Sequence, residues 1–371
     1  MRKLAALLLA GLVAAVVASP AGASGRLKIG IYDEALALGQ PDIGFAYLGE
    51  LRPQVLRFNL NWYQVAPVRP QIDPNNPLDP AYQWALYDQA VLRAQALGAE
   101  VLFHVIGTPS WANGGQDWRI APTNMADLRA FTIAAARRYS GLVQFGGMPA
   151  VNKWAAWNEP NLSTFLKPSW GVVGGRRVPV AARTYAKICN TVVKAVHDVG
   201  RETVRSVRVA CGVTSPYGKG GSAISPIRFL REMKRAKAKF DVYAHHPYSR
   251  TRPAISPTAI PRERRLTVSL GNIRDLFAEL NRLYGNRKRV WITEYGYETN
   301  PPDPGIGVSW ARQAAWLKTA HTIVRRHKRI DMFLWFLIQD EADVTKWQTG
   351  LVDSAGTRKP AFFTFQSLPR L

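Results

Sequence analysis

The chain has 371 residues, of which 47% are apolar and 20% charged, and this composition excludes an intrinsically disordered protein. Its formal charge of +23 suggests an anionic polymer or surface as partner, or simply a solvated basic surface. Nucleic acid is not the expected partner, because the basic residues are scattered and no zinc-finger or RNA-binding aromatic motif is present.

The first 23 residues have the pattern of a secretory signal peptide. Arg2 and Lys3 precede an apolar run, and small residues at 21 and 23 supply a cleavage site. No cysteine follows that site, which argues against a lipid anchor. We expect an exported mature chain, residues 24–371, secreted or in the cell envelope. The alternative is an uncleaved N-terminal anchor, for which the apolar run is short.

After the signal segment, short apolar segments alternate with amphipathic ones. Eight apolar segments are typical of buried strands: RLKIGIY, VLRFNLNW, EVLFHVIGTPSW, KWAAWNEP, VRVACGVTS, FDVYAHHPYS, RVWITEYGY and IDMFLWFLIQDE. Continuous apolar runs of this kind favour parallel pairing, because both faces of a parallel sheet are covered.

Helix signals lie between these strands. Asp79 and Pro80 predict the start of one helix and Gly98 its end. Asn124 predicts the N-cap of the next helix. Two later helices are indicated by apolar stripes, which comprise Leu270, Ile273, Phe277 and Leu280, and then Trp310, Ala314, Leu317 and Val324.

Eight strand–helix units over this length predict a single-domain (β/α)₈ TIM barrel. An open doubly wound sheet is the competing arrangement, but the first strand lacks the glycine-rich turn that such sheets carry. We expect a monomer with no cofactor and no metal, since no zinc-like spacing of Cys and His occurs. Cys189 and Cys211 lie in a helix pattern and the next strand pattern; two buried thiols are favoured over a bridge, which export would permit.

Polar residues stand at most of the predicted strand ends, where the active site of such a barrel lies. They are Arg57, Asn59, Asn61, His104, Asn158, Glu159, His245, His246, Tyr248, Glu294, Tyr295 and Trp335. Any one of them alone is more often a structural hydrogen-bonding group. Their convergence on one barrel mouth indicates a site, because an unpaired buried polar group destabilises the fold.

Glu159 and Glu294 follow the fourth and seventh strands, and two facing carboxylates are what glycoside hydrolysis requires. One must be protonated and the other ionised. Arg57 and Tyr248 are candidates for keeping one of them charged. Asn158 is a candidate for binding a sugar hydroxyl, and Trp335 for an apolar platform under the sugar.

These residues resemble the active-site set of the retaining glycoside hydrolases of clan A, which share a TIM barrel. The matching motifs are WNEP (157–160) and ITEYG (292–296), together with HPY (246–248), Arg57, His104 and Trp335. The set is similar to family 5, while WNEPNL and the overall layout are similar to family 39. The stretch TGLVDSAGTRKPAFF also resembles the end of such domains, so the resemblance covers nearly the whole mature chain.

The resemblance implies a role for each matching residue. Glu159 would be the acid/base and Glu294 the nucleophile, with Tyr248 and Arg57 holding Glu294 ionised. The remaining roles are contact with the 2-hydroxyl for Asn158, lining of the reacting subsite for His246 and His104, and stacking under the sugar for Trp335. The doubled histidine departs from a simple match, and period-two alternation places His246 on the side of Tyr248 and His245 toward the core.

Loops on the same face are candidates for substrate contact. Trp111 is a candidate sugar platform, the alternative being a residue packed over the barrel rim. Two basic loops would favour an anionic or envelope glycan, or would be a solvated rim without a substrate role. Their cationic residues are Lys167, Arg176, Arg177, Arg250, Arg252, Arg262, Arg264 and Arg265.

The sequence therefore predicts a retaining glycosidase acting on the O-glycosidic bonds of an oligo- or polysaccharide. Two other functions remain open: a transglycosylase using the same two glutamates, and a non-catalytic glycan-binding barrel of the envelope. The presence of both glutamates argues against the second, because a binding protein needs no nucleophile.

Overall fold

The computed structural model describes residues 25–218, 221–255 and 266–370. The predicted signal peptide and Arg262, Arg264 and Arg265 lie outside the described residues.

Eight parallel strands close into a barrel, and a two-stranded antiparallel hairpin is added after the fourth of them. In chain order the strands are β1 Lys28–Tyr32, β2 Val55–Asn61, β3 Glu100–Ile106, β4 Lys153–Ala156, the hairpin strands β5 Gly171–Val173 and β6 Arg176–Val178, β7 Arg208–Thr214, β8 Val242–His245, β9 Arg289–Ile292 and β10 Ile330–Phe336. Around the barrel the order is β1, β2, β3, β4, β7, β8, β9 and β10, and β10 pairs with β1. The predicted (β/α)₈ barrel is confirmed.

Helices surround this barrel. They are α1 Glu34–Gly39, α2 Pro41–Leu51, α3 Trp62–Val65, α4 Ala85–Ala96, α5 Met125–Arg138, α6 Val180–Glu202, α7 Pro226–Arg235, α8 Ile273–Tyr284, α9 Trp310–Arg326 and α10 Pro360–Ser367. The predicted caps Asn124 and Gly98 are confirmed: the Asn124 side chain accepts the N–H of Ala126, and Gly98 has φ +68° just past α4. No helix in the described ranges is long and apolar enough to cross a bilayer.

The predicted start of α4 is wrong. The helix begins at Ala85 rather than at Pro80. The Asp79 carboxylate instead accepts the N–H groups of Ile72, Asp73 and Ala81 and so organises the loop that precedes the helix. Asp is equally suited to both tasks, because its short side chain bonds nearby backbone N–H groups in turns and at N-caps.

The expectation of two free thiols is also wrong, since Cys189 and Cys211 form a disulfide. Cys189 lies on α6 and Cys211 on β7, and packing of that helix against that strand brings their Cα atoms to 6.0 Å. This is a usual separation for a bridge. The bond therefore ties the outer helix layer to the barrel.

Candidate active site

Two glutamates lie together at the C-terminal end of the barrel. Glu159 follows β4 and Glu294 follows β9, and a carboxylate oxygen of each lies within 4.8 Å of one of the other. Both side chains are buried, with 9% of Glu159 and 7% of Glu294 exposed. Two acidic groups so close and so buried cannot both be ionised without cost, so their surroundings decide which one carries the charge.

The backbone after β4 adopts an unusual conformation that directs Glu159 into the site. Trp157 and Glu159 have φ values of 66° and 36°, in the left-handed region that costs a non-glycine residue about 1–3 kcal/mol. Hydrogen bonds of Trp157 fix this turn: its N–H donates to the carbonyl of Val105 and its indole to the carbonyl of Phe165. Such strain is concentrated at functional sites, and here it orients a carboxylate.

Arg57, on β2, is fully buried and connects the polar groups of the site. One terminal nitrogen donates to Glu294 Oε1 at 2.6 Å, and the other donates to Asn158 Oδ1 at 2.9 Å and Asn59 Oδ1 at 3.1 Å. The guanidinium also lies 4.0 Å from the centre of the Tyr32 ring. A buried cation needs a compensating anion, and Glu294 is the group that supplies it.

Tyr248 and His246 hold the two carboxylates from the β8 side. The Tyr248 hydroxyl donates to Glu294 Oε2 at 2.9 Å. His246 Nδ1 lies 2.9 Å from Glu159 Oε1 and 3.4 Å from Glu294 Oε2, while its Nε2 lies 2.9 Å from Thr293 Oγ1. The prediction that His246, not His245, faces the site is confirmed, because His245 instead bonds Thr214 and the carbonyl of Val268.

The proton of His246 can be assigned from its partners. Burial, together with the nearby charge of Arg57, lowers the pKa of His246 well below its usual range, so the ring is neutral. Arg57 lies 3.4 Å from Nε2 and can only donate, which makes Nε2 the acceptor. Nδ1 therefore carries the hydrogen and donates it to Glu159 Oε1.

The surroundings separate the two carboxyl groups in acidity. Burial raises the pKa of Glu159 well above its usual range, and the charge of Glu294 raises it further. Burial also raises the pKa of Glu294, but the charge and hydrogen bond of Arg57 and the hydroxyl of Tyr248 oppose that rise. Glu159 is therefore the protonated member of the pair and Glu294 the ionised one. Because Oε1 of Glu159 accepts from His246, its proton lies on Oε2.

Glu159, His246 and Glu294 are also the one group among the described residues with the spacing to ligate a metal. Arg57 already supplies a positive charge to Glu294 at hydrogen-bonding distance. A second cation in contact with the same carboxylate would be repelled by that guanidinium. The trio is therefore better suited to proton transfer than to metal binding.

A cavity of about 540 Å³ opens above the two glutamates. Its lining combines aromatic side chains with polar groups, among them the two glutamates, as in most small-molecule sites. Besides the two glutamates, the lining includes Tyr32, Asn59, Asn158, Tyr217, Arg250, Tyr297, Glu298, Ile306, Phe336 and Trp347. Of the predicted set, the structure brings Arg57, Asn158, Glu159, His246, Tyr248 and Glu294 together.

Three residues with predicted substrate roles, His104, Trp335 and Trp111, belong neither to the lining of this cavity nor to the hydrogen-bond network described around the two glutamates. His104 is fully buried within the barrel, where it packs on β3. Trp335 is also fully buried, and its indole donates to the carbonyl of Thr349 at 3.0 Å; the neighbouring Phe336 lines the cavity instead. Trp111 packs edge-on against Trp62, with ring centres 5.5 Å apart, which is the rim position given as its alternative.

Polar groups at the end of β1 also belong to the site, although they were not predicted from the sequence. Tyr32 lines the cavity, and Glu34 accepts hydrogen bonds from the Tyr32 hydroxyl and from Asn59 Nδ2 at 2.9 Å. These contacts orient the Asn59 amide so that its oxygen faces Arg57. Applying the strand-end rule to the first strand, which ends in Tyr-Asp-Glu, would have found them.

The fold is similar to solved glycosidase structures. A glucosidase from Croceicoccus marinus gives a TM-score of 0.66 at 15% identity, covering 94% of this chain and 66% of that chain. A family 39 glycoside hydrolase from Bacteroides cellulosilyticus WH2 gives 0.65 at 19% identity, covering 91% and 62%. A family 39 β-xylosidase from Caulobacter crescentus gives 0.64 at 16% identity, covering 93% and 72%.

No protein-family model and no curated protein matches the sequence. The chain spans less than two thirds of the length of the first two similar structures. At these identities the likeness extends to the fold alone, and it agrees with the (β/α)₈ barrel expected from the sequence.

Proposed function

We propose that this protein is a retaining glycoside hydrolase. The observation that carries the proposal is the pair of buried carboxylates, Glu159 and Glu294, with oxygen atoms within 4.8 Å at the base of a cavity. Retaining enzymes hold their two carboxyl groups about 5–5.5 Å apart, while inverting enzymes need about 6.5–9.5 Å to admit a water.

In the first step an ionised Glu294 oxygen attacks the anomeric carbon and the bond from that carbon to the glycosidic oxygen breaks. Glu159 transfers its Oε2 proton to the departing oxygen, leaving a glycosyl–enzyme ester and a carboxylate at Glu159. In the second step this carboxylate takes a proton from water, whose oxygen bonds to the anomeric carbon and releases Glu294. Arg57 and Tyr248 support the first step by stabilising the charge on Glu294.

Asn158 supports binding of the reacting sugar. Its side-chain oxygen is held by Arg57 at 2.9 Å, so its amide N–H groups are directed away from the guanidinium. Asn158 lines the cavity beside Glu159, where a donor would reach the hydroxyl next to the reacting carbon. A contact that strengthens as charge develops in the transition state raises the rate rather than the affinity alone.

The substrate class is an oligo- or polysaccharide, and one observation favours an anionic group on it. Arg250 lines the cavity next to Tyr217, on loops after β8 and β7, the strands beyond β4 in the barrel order. Arg250 lines the same cavity as the two glutamates, so a cation is available to an anionic group on the bound glycan. An acidic glycan of the cell envelope would fit, and the disulfide is compatible with an exported protein.

The test is a screen of 4-nitrophenyl glycosides and polysaccharides, including uronate-bearing and envelope glycans. We expect release of sugar from at least one of them, with the product first formed in the anomeric configuration of the substrate. The same reactions are repeated with an added sugar acceptor. Hydrolysis releases the free sugar, whereas transglycosylation yields a new glycoside of the acceptor. Binding of glycans without any bond cleavage on long incubation would contradict the proposal.

A further inference from the structure

A second recess adjoins the catalytic cavity. It has a volume of about 550 Å³ and is formed by the loops after β9 and β10. Glu298, Ile306 and Trp347 line both spaces, so the recess is continuous with the catalytic cavity. Volumes of about 300–1,000 Å³ are typical of ligand sites.

Trp347 forms an exposed apolar surface at the junction of the two spaces. Half of its side chain is exposed (50%), and Ile306 beside it is 42% exposed. The indole packs edge-on against Phe336 of the catalytic cavity, with ring centres 5.6 Å apart. A sugar ring has an apolar C–H face and a rim of hydroxyls, and an exposed indole next to carboxylates offers a partner for each.

Hydrogen bonds hold the two loops of this recess together. Glu298 Oε2, on the β9 loop, accepts the N–H of Gln348 at 2.5 Å. The Gln348 amide donates to the carbonyls of Glu341 and Asp343, both at 3.0 Å. The backbone beside Trp347 is thereby held in place before any ligand binds, and preorganisation of this kind reduces the entropic cost of binding.

The barrel order gives the direction in which the recess extends. Three strands separate β10 from β4 on either side, so the β10 loop lies opposite the strand that carries Glu159. Glu159 protonates the oxygen of the leaving group, which therefore departs on the β4 side. The recess lies on the other side, where the part of the glycan that becomes bonded to Glu294 continues.

We propose that this recess binds a second sugar, which is linked on the non-reducing side to the sugar that becomes bonded to Glu294. The ring of this second sugar would stack on Trp347. The inference rests on the proposed function and adds that the enzyme recognises at least two consecutive sugars on that side. The recess also contains the carboxyl groups of Glu298, Asp303 and Glu341, with Lys346 3.6 Å from Glu341. Three acidic groups against one base favour a sugar without negative charge at this position.

The test compares two probes: the 4-nitrophenyl glycoside that the enzyme cleaves in the screen, and the same glycoside lengthened by one neutral sugar at its non-reducing end. The kcat/KM of each is measured for the wild type, for Trp347→Ala, and for Phe363→Ala. Phe363 is the matched control, because it is an aromatic side chain of similar exposure (56%) on α10.

We expect the wild type and Phe363→Ala to prefer the longer probe by about tenfold, the effect of one well-placed contact. In Trp347→Ala the ratio of the two kcat/KM values should fall to about one, and this ratio decides the test whatever the loss on the shorter probe. Equal use of both probes by the wild type, or an unchanged preference in Trp347→Ala, would overturn the inference and leave the proposed function intact. Failure to cleave any glycoside would overturn both.

Discussion

The base of the catalytic cavity and the loop-built recess beside it are organised on different principles. At the base, Arg57, Glu294 and His246 are almost completely buried and each is bonded to at least two other polar groups. In the recess, Trp347 and Ile306 remain largely exposed and only the backbone around them is fixed. The buried network at the base determines which carboxyl group is charged, and the recess presents an exposed apolar surface to a ligand. The base should therefore govern the chemistry, and the recess should govern the choice of substrate.

Replacement of Glu294 should cause the largest loss of activity, and it tests whether the base of the cavity governs the chemistry. Replacement by Gln removes the nucleophile and leaves the volume of the side chain unchanged, so kcat should fall by about 10⁴-fold or more while the fold survives. Steady-state kinetics on the best 4-nitrophenyl glycoside provides the measurement. Glu202→Gln, a partly exposed carboxylate at the end of α6, is the control and should retain full activity. Activity near that of the wild type in Glu294→Gln would remove the basis for the proposed roles.

Glu159→Gln should have the next largest effect, and its size should depend on the leaving group. Loss of a general acid costs about 10²–10⁴-fold for a poor leaving group and much less for 4-nitrophenolate, which needs no proton. The raised pKa of Glu159 predicts that wild-type activity is lost as pH rises through that pKa, because the acid is then ionised. In Glu159→Gln this alkaline limb should be absent from the profile of kcat/KM against pH. If the alkaline limb remained in Glu159→Gln, it would arise from the ionisation of a group other than Glu159.

Tyr248→Phe should have a smaller effect, because it removes one hydrogen bond to the ionised Glu294. The pKa of Glu294 should rise, and because activity requires its ionised form, the acidic limb of the pH profile should move to higher pH. We expect a loss of about tenfold at the optimum, from a hydrogen bond to a charged group worth about 1.5–3 kcal/mol. An unshifted acidic limb would show that Tyr248 does not control this charge.

The disulfide should affect stability alone. Cys189 on α6 and Cys211 on β7 are 22 residues apart, and neither lines the catalytic cavity. Replacing both with Ser should lower the free energy of unfolding by about 2–4 kcal/mol and leave kcat and KM within about twofold. Denaturant unfolding measured beside kinetics on the same samples separates the two effects. A loss of activity without loss of stability would contradict the separation of roles.

Sequence patterns predicted the base of the site well because strands impose simple geometry. Parallel strands in a barrel end at the same rim, so Glu159 and Glu294 were expected at one barrel mouth once eight strands were recognised. The alternation of side chains along a strand then predicted that His246, and not His245, faces the site. The same reasoning failed for Trp335 and Phe336, because both are apolar aromatic residues on a strand buried on both faces. Which of them reaches the cavity depends on a hydrogen bond from Trp335 to a distant loop.

The recess could not be predicted because it is built from loops. Glu298 and Trp347 are 49 residues apart in the chain (347 minus 298), and hydrogen bonds such as that from the Gln348 N–H to Glu298 bring their loops together. No periodicity marks such a contact, since loop conformations follow from individual hydrogen bonds rather than from repeating patterns. The disulfide was misjudged for a similar reason, as spacing alone does not give the packing of α6 against β7.

The proposed mechanism depends most directly on Glu294 being the residue that bonds to the sugar. Incubation with a 2-deoxy-2-fluoro glycoside that carries a good leaving group slows the second step and allows the ester to accumulate. Proteolysis and mass spectrometry then identify the modified residue. We predict a mass increase of one fluorosugar on the peptide that contains Glu294, absent from Glu294→Gln. An adduct on Glu159 or on another residue, or a first product of inverted anomeric configuration, would contradict the account.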